Sequence, residues 1–151
     1  MEMEQFLVQG SELETRIGRV YEKLATLTMD ESKAGMLAKL AKEEFNHSSA
    51  LLMGRNFLKG MPDLFLTTNL EDDDLKSGLD DLARLEDRLK GNLSLSDALP
   101  WLLALEKKFE RIHIGASVKF GDPSLKNLFQ SLGQGDHNHI VLLSQMISSL
   151  A

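Results

Sequence analysis

The feature that most constrains this chain is an internal repeat. Shifted by 92 residues, SELETRIGRVYEKLATLTMDES from Ser11 falls without a gap on LALEKKFERIHIGASVKFGDPS from Leu103. KAGMLAKLAKEEFNHSSALL then falls on LKNLFQSLGQGDHNHIVLLS. Glu14 meets Glu106, Asp30 meets Asp122, Ser32 meets Ser124, Leu40 meets Leu132, Asn46 meets Asn138 and His47 meets His139, with Glu44 over Asp136. Few identities survive, and the ionisable positions are among them.

Leu37, Leu40, Glu44, His47 and Leu51 step by 3, 4, 3, 4, the seam of a packed helix. Phe129, Leu132, Asp136, His139, Leu143, Met146 and Leu150 keep the same steps. Upstream, Leu7, Gly10, Glu14, Ile17, Tyr21 and Leu24 form one seam, and Leu99, Leu102, Glu106, Phe109, His113, Ala116 and Phe120 the other. Each seam gives an ionisable group a place that pattern alone would give to Leu. Gly133 and Gly135 fall within the last seam and mark a weakened turn, a bulge or a close helix approach. With only 3 prolines in 151 residues, the expectation is one all-α domain.

The turns set the heights. Asp122-Pro123 reads as an N-cap followed by proline at the first helical position, with Asp30 as its partner in the first half. Glu14 and Glu44 lie 15 residues either side of Met29, and Glu106 and Asp136 lie 15 residues either side of Gly121. In an antiparallel hairpin, equal separation from the turn means equal height, about 22 Å along the axis. Each hairpin, residues 3–60 and 96–150, therefore presents two carboxylates at mid-helix, with a His one turn beyond. Packed face to face, the hairpins bring four carboxylates and two imidazoles to one point.

Four buried carboxylates without a counter-charge repel one another and carry a severe desolvation cost, which a pair of divalent ions cancels. Carboxylate oxygen and imidazole nitrogen suit iron, manganese or zinc. The candidate ligands are Glu14, Glu44, His47, Glu106, Asp136 and His139.

With Glu14, Glu44-x-x-His47, Glu106 and Asp136-x-x-His139, the chain resembles the ferritin-like superfamily, in particular the rubrerythrin-type di-iron carboxylate domains. Glu14 and Tyr21 also match that family's first-helix Glu and the Tyr seven residues later. The resemblance covers residues 3–60 and 96–150. It implies a ferritin-like antiparallel four-helix bundle, up-down-down-up, whose two hairpins are joined by a long crossover. It implies that Glu44 and Asp136 bridge two metal ions, with Glu14 and His47 on one and Glu106 and His139 on the other. It also implies a di-iron oxidoreductase that oxidises Fe(II) with O2 or peroxide, or reduces peroxide. Homodimerisation is common among such bundles and is the expected state. Asp136 departs from the usual Glu, Phe109 stands where a rubrerythrin carries an extra Glu, and His113 replaces the counterpart of Tyr21. The sequence has no rubredoxin-type domain, so an external electron donor is expected. Two alternatives stand beside this reading: a non-catalytic bundle that stores or carries metal, zinc or manganese included, and an interaction module with a relic site.

Residues 61–95 form the crossover, with LDDLARLEDRLKGN reading as a short amphipathic helix ended by Gly91-Asn92. The run Glu71–Asp74 reads as solvated surface rather than an iron path. His137 and Glu43 step off the seams and read as solvent-facing; Trp101 and the methionines read as packing. Tyr21 and His113 lie seven residues turn-ward of their seam Glu, too far to share its metal along their own helix. They can serve as partners from a neighbouring helix or as ordinary core groups. A net charge of −6 argues against a nucleic-acid surface, and no run approaches the ~18 apolar residues of a membrane span. The absence of cysteine excludes thiolate zinc and rubredoxin-type iron sites. The acidic start MEMEQFLVQG reads as cytoplasmic rather than as a signal peptide.

Overall fold

The computed structural model describes residues 2–60 and 73–150. Among these residues the chain forms five helices: α1 Met3–Leu27, α2 Glu31–Lys59, α3 Asp73–Leu89, α4 Leu95–Lys119 and α5 Pro123–Ser149. The two hairpin turns are set by related caps. Asp30 accepts a hydrogen bond from the Lys33 N–H and Asp122 from the Leu125 N–H, each at 3.1 Å, satisfying first-turn donors. Pro123 takes the first position of α5, where its missing N–H costs nothing. Ser94 caps α4 in the same way through the Asp97 N–H.

α1 packs along α2 as one hairpin and α4 along α5 as the other. The hairpins lie head to tail. Phe6, near the start of α1, has its ring centroid 5.9 Å from that of Phe129, near the start of α5. Gly54, near the end of α2, has Leu128 against it. The Gly121 turn thus sits at the end of the bundle where α1 begins and α2 finishes, so α1 opposes α4 in direction and α2 opposes α5. The apolar seam positions are buried as their spacing predicts, Leu7, Ile17, Leu40, Leu99, Leu132 and Leu143 among them, whereas Leu150 at the last turn is 39% exposed. Burial of such stripes, rather than helix propensity, holds helices of this kind together.

α3 begins at Asp73, six residues before the Leu79 start that the amphipathic pattern suggests. Asp73 and Asp74 occupy its first turn, where carboxylates meet the positive end of the helix dipole. Both are exposed, and Asp74 lies 3.7 Å from Arg111; Glu71 and Asp72 fall outside the described residues, as do residues 61–70 of the crossover. Leu75, Leu82, Leu85 and Leu89 bury the apolar face of α3. Lys108 pairs with Asp81 and donates to Ser77, and Arg16 pairs with Glu86, tying α3 to α4 and α1. Trp101 is half-buried beneath the Arg88 guanidinium, 5.2 Å from its ring centroid. Among the described residues no helix is long and apolar enough to cross a membrane.

Candidate metal centre

The six seam groups are drawn toward the middle of the bundle, and five of them are closed to solvent. Glu14, Glu44, Glu106 and Asp136 are 0% exposed and His139 1%. His47 is more open, its side chain 16% exposed. The His47 Nδ1 lies 3.8 Å from Glu14 Oε2 and 3.5 Å from Glu44 Oε2. On the other side, His139 Nδ1 lies 2.7 Å from Glu44 Oε1 and 3.4 Å from Glu106 Oε1. The two imidazoles stack with centroids 5.5 Å apart.

Glu14, Glu44 and His47 make one group whose ligand atoms all lie within 4.8 Å of one another; Glu44, Glu106 and His139 make a second. Glu44 belongs to both. Asp136 stands in neither. It joins Glu14 and His113 in a third group, its Oδ2 2.5 Å from His113 Nδ1. One methylene shorter than Glu44, it keeps its carboxylate close to α5, where the His113 ring reaches it.

Tyr21 and His113 reach the centre across the bundle. The Tyr21 hydroxyl donates to Glu106 Oε1 at 2.7 Å, and His113 Nε2 lies 3.4 Å from Glu14 Oε1. These contacts are repeat-related, since Tyr21 aligns with His113 and Glu106 with Glu14. Each side chain starts about 10 Å turn-ward of the centre, but helical side chains lean toward the N-terminus of their helix, and this tilt carries both back to mid-height.

The repeat also breaks beside the two histidines. Glu43 aligns with Gly135. Rather than facing only solvent, Glu43 places Oε2 2.7 Å from His139 Nε2, so the ring is held with Nδ1 turned inward. His137 is the off-seam residue that does stay outside, 56% exposed and paired with Glu110. At the matching place in the other half, a Cβ on Gly135 would meet His47 Nε2 at 2.7 Å, and a Cβ on Gly133 would meet Ile114 at 2.9 Å. Of the three readings open for these glycines, close helix approach is the one found, within an unbroken α5. Around the same height Ser48 exchanges hydrogen bonds with Ser11 and Thr15, each at 2.7 Å, a polar clamp between α1 and α2. The second half has Leu103, Lys107 and Ile140 at those positions and no such clamp.

Electrostatics show how the protein carries this charge. Burial pushes the Glu14 carboxyl well above its usual range, and the neighbouring Glu44 adds to the shift. Burial and Glu106 raise Glu44 to about 8, and the same two causes raise Asp136 well above the carboxylate range. Burial acts upward on Glu106 as well, but His139 and the Tyr21 hydroxyl outweigh it and leave it below its usual value. Against the opposing pull of burial, Glu106 and Glu44 lift His139 to about 12. Burial lowers His113, and burial with the charge of Glu106 raises Tyr21 well above its usual value. Without metal, these shifts favour an ion pair of Glu106 with His139 and oppose charge on Glu14, Glu44 and Asp136.

The donor set fits divalent ions. Both oxygens of Glu14 and of Glu44, Glu106 Oε2, Asp136 Oδ1 and the Nδ1 atoms of His47 and His139 are buried without a hydrogen-bond partner. The short approach of His139 to Glu44 also lacks hydrogen-bond alignment. Among the described residues, the only cationic side chains in ion-pair reach of these carboxylates are imidazoles. Orphaned oxygens and lone pairs facing one another are what a hard or borderline cation satisfies and a hydrophobic core does not.

Two outcomes follow for these outer contacts. Glu43→Ala should weaken divalent-ion affinity by roughly 10–100-fold, the usual worth of a carboxylate behind a ligating imidazole. Glu43→Gln, whose amide oxygen can still accept from Nε2–H, should retain most of it; competition against a chelator measures both. Gly135→Ala should displace the His47 ring and weaken binding, while the melting temperature holds or rises, since Ala is favoured over Gly in a helix by about 1 kcal/mol. A lowered melting temperature with intact binding would mean that the glycine serves packing alone.

Comparison with protein-family models, with curated proteins and with solved structures finds no match to this chain.

Proposed function

We propose that this protein is a di-metal carboxylate protein of the rubrerythrin type within a ferritin-like bundle, acting on O2 or peroxide with iron as its working metal. The observation that carries the reading is the sharing of Glu44 by two buried Glu/His groups, one with Glu14 and His47 and one with Glu106 and His139. A Glu from each of two helices, with a Glu-x-x-His motif from each of the others, is the ligand pattern of paired carboxylate sites. The opposed directions of α1 and α4, and of α2 and α5, support the ferritin-like arrangement, as do the repeat-related contacts of Tyr21 and His113.

Held by Glu14, Glu44, His47, Glu106 and His139, a ferrous pair would supply the two electrons that, with two protons, reduce one peroxide to two waters, with an external donor restoring those electrons. The chain's own contribution is positional and protonic. Leu, Phe and Ile seam residues around the carboxylates exclude bulk water, so charges inside interact strongly. Glu43 fixes the His139 ring, and the Tyr21 hydroxyl holds a proton 2.7 Å from Glu106, within the centre and out of solvent. The open edge lies at His47, the most exposed of the six groups, with Gly135 opposite.

Anaerobic titration with Fe(II) should load about two ions per chain at the pair, and the loaded protein should consume peroxide with loss of its ferrous state. Zero stoichiometry would remove the reading. A second reading, storage or carriage of metal without turnover, is favoured by Asp136, which is engaged with His113 instead of lying across from Glu44. Tight loading with no consumption of O2 or peroxide selects it.

A further inference from the structure

We propose that Glu14, His113 and Asp136 form a third cation position, adjoining the pair through Glu14, for a divalent ion such as Zn2+, Mn2+ or Fe2+. The proposal rests on the reading of the centre as a divalent-metal site; it shares Glu14 with the pair and assigns His113 and Asp136, which the pair does not use.

Three helices supply one donor each, Glu14 from α1, His113 from α4 and Asp136 from α5, and their ligand atoms lie within 4.8 Å of one another. All three residues are buried, with His113 4% exposed and the others closed. Asp136 Oδ1 and both oxygens of Glu14 have no hydrogen-bond partner. Unpartnered oxygens at that depth are expensive, and an imidazole with two carboxylates is a donor set suited to zinc, manganese or ferrous iron. The aromatic ring of Phe129, itself buried, packs beside His113 with its centroid 6.1 Å away.

The position has no counterpart across the repeat. His113 aligns with Tyr21, whose hydroxyl gives its proton to Glu106, and Asp136 aligns with Glu44, whose longer arm reaches between the two groups of the pair. Two substitutions, an imidazole for a phenol and a shorter acid for a longer one, thus remake one end of the centre. The three groups form a row in which Glu14 joins the third position to the His47 position, and Glu44 joins that to the His139 position. Four carboxylates already balance two divalent ions, so a third adds excess positive charge and should bind more weakly than the pair.

Zn2+ is the suitable probe because it does no redox chemistry, making the readout independent of turnover. Calorimetric titration of the full chain should show two tighter equivalents and one weaker. Crystals soaked in Zn2+ should show three anomalous peaks at the zinc edge, one of them in contact with His113 and Asp136. His113→Gln should remove the weaker equivalent and its peak, leaving the other two. Two peaks with Asp136 between them and His113 uncoordinated would overturn the third position while keeping the paired site. A wild-type chain that binds no Zn2+, Mn2+ or Fe2+ would sink both. Because the wild-type map alone decides the case, a misfolded variant does not shelter the proposal.

Discussion

Glu44→Gln should stop metal loading and, in the same experiment, stabilise the metal-free protein at alkaline pH. Glu44 is common to two of the buried groups, so its loss strips a ligand from both positions of the pair. Affinity should fall by more than about 100-fold, because groups lying merely behind a metal's ligands are already worth 10–100-fold. The metal-free chain should respond in the opposite sense. With its carboxyl raised to about 8, Glu44 is a charge the fold resists once the pH passes that value. A neutral amide of the same shape removes that cost, a gain of roughly 1–4 kcal/mol by the scale of buried-charge replacements. At pH 5, where Glu44 is protonated in the folded chain, the variant and the parent should melt together. Calorimetry at pH 5 and pH 9 with a metal titration reads all of this. Undiminished loading would remove Glu44 from the centre, and equal melting at pH 9 would remove it from the charge balance.

The metal-free protein should be most stable near pH 5 and lose stability steadily toward pH 9. In the unfolded chain Glu44 titrates near 4.5 and in the folded chain near 8, so between these values the folded state holds a proton that the unfolded state gives up. Each step upward in pH across that window costs stability, on the order of 5 kcal/mol in total for Glu44, or roughly 10–20 °C in melting temperature for a chain of this size. Glu14 and Asp136 are shifted in the same direction and deepen the fall. His139, raised from 6.5 to about 12, adds the same sign above pH 6.5, where only the folded state keeps its proton. Glu106 runs the other way. Its folded value lies below the usual one, so its contribution is present above that usual value and is lost only as the pH drops beneath it. Saturating Zn2+ should oppose the slope, since the ion displaces the carboxyl protons and binds more tightly as pH rises. A flat profile without metal would mean that these carboxyls are solvated.

How much of this was legible beforehand depends on what periodicity encodes. The 92-residue repeat and the seam steps mark which face of each helix is buried, and the caps Asp30 and Asp122 mark where each hairpin turns. Glu44 and His47 could be singled out because an ionisable residue in a seam of leucines is costly unless something offsets it. Glu43 could not. One step along the helix points it 100° away, onto a face that is solvent in an isolated hairpin. It becomes the partner of His139 only because α2 and α5 approach closely, at Gly135. The pairing of His113 with Asp136 was hidden for a related reason: rise per residue gives the height of a backbone, not the lean of a side chain. The early start of α3 escaped because Asp73 and Asp74 read as a charge run, whereas their place in the first turn lets the dipole favour them.

By itself, then, the sequence determined that the chain is helical, that it is built from two similar hairpins, and that their mid-points carry acids and imidazoles on the buried side. Each of these is a property of one helix and its own spacing. Only the tertiary structure decided which acid meets which imidazole: Asp136 with His113, Glu44 shared between His47 and His139, and Glu43 behind His139. Those pairings are set by interaxial distance and side-chain length, and both are settled only when the hairpins close on each other.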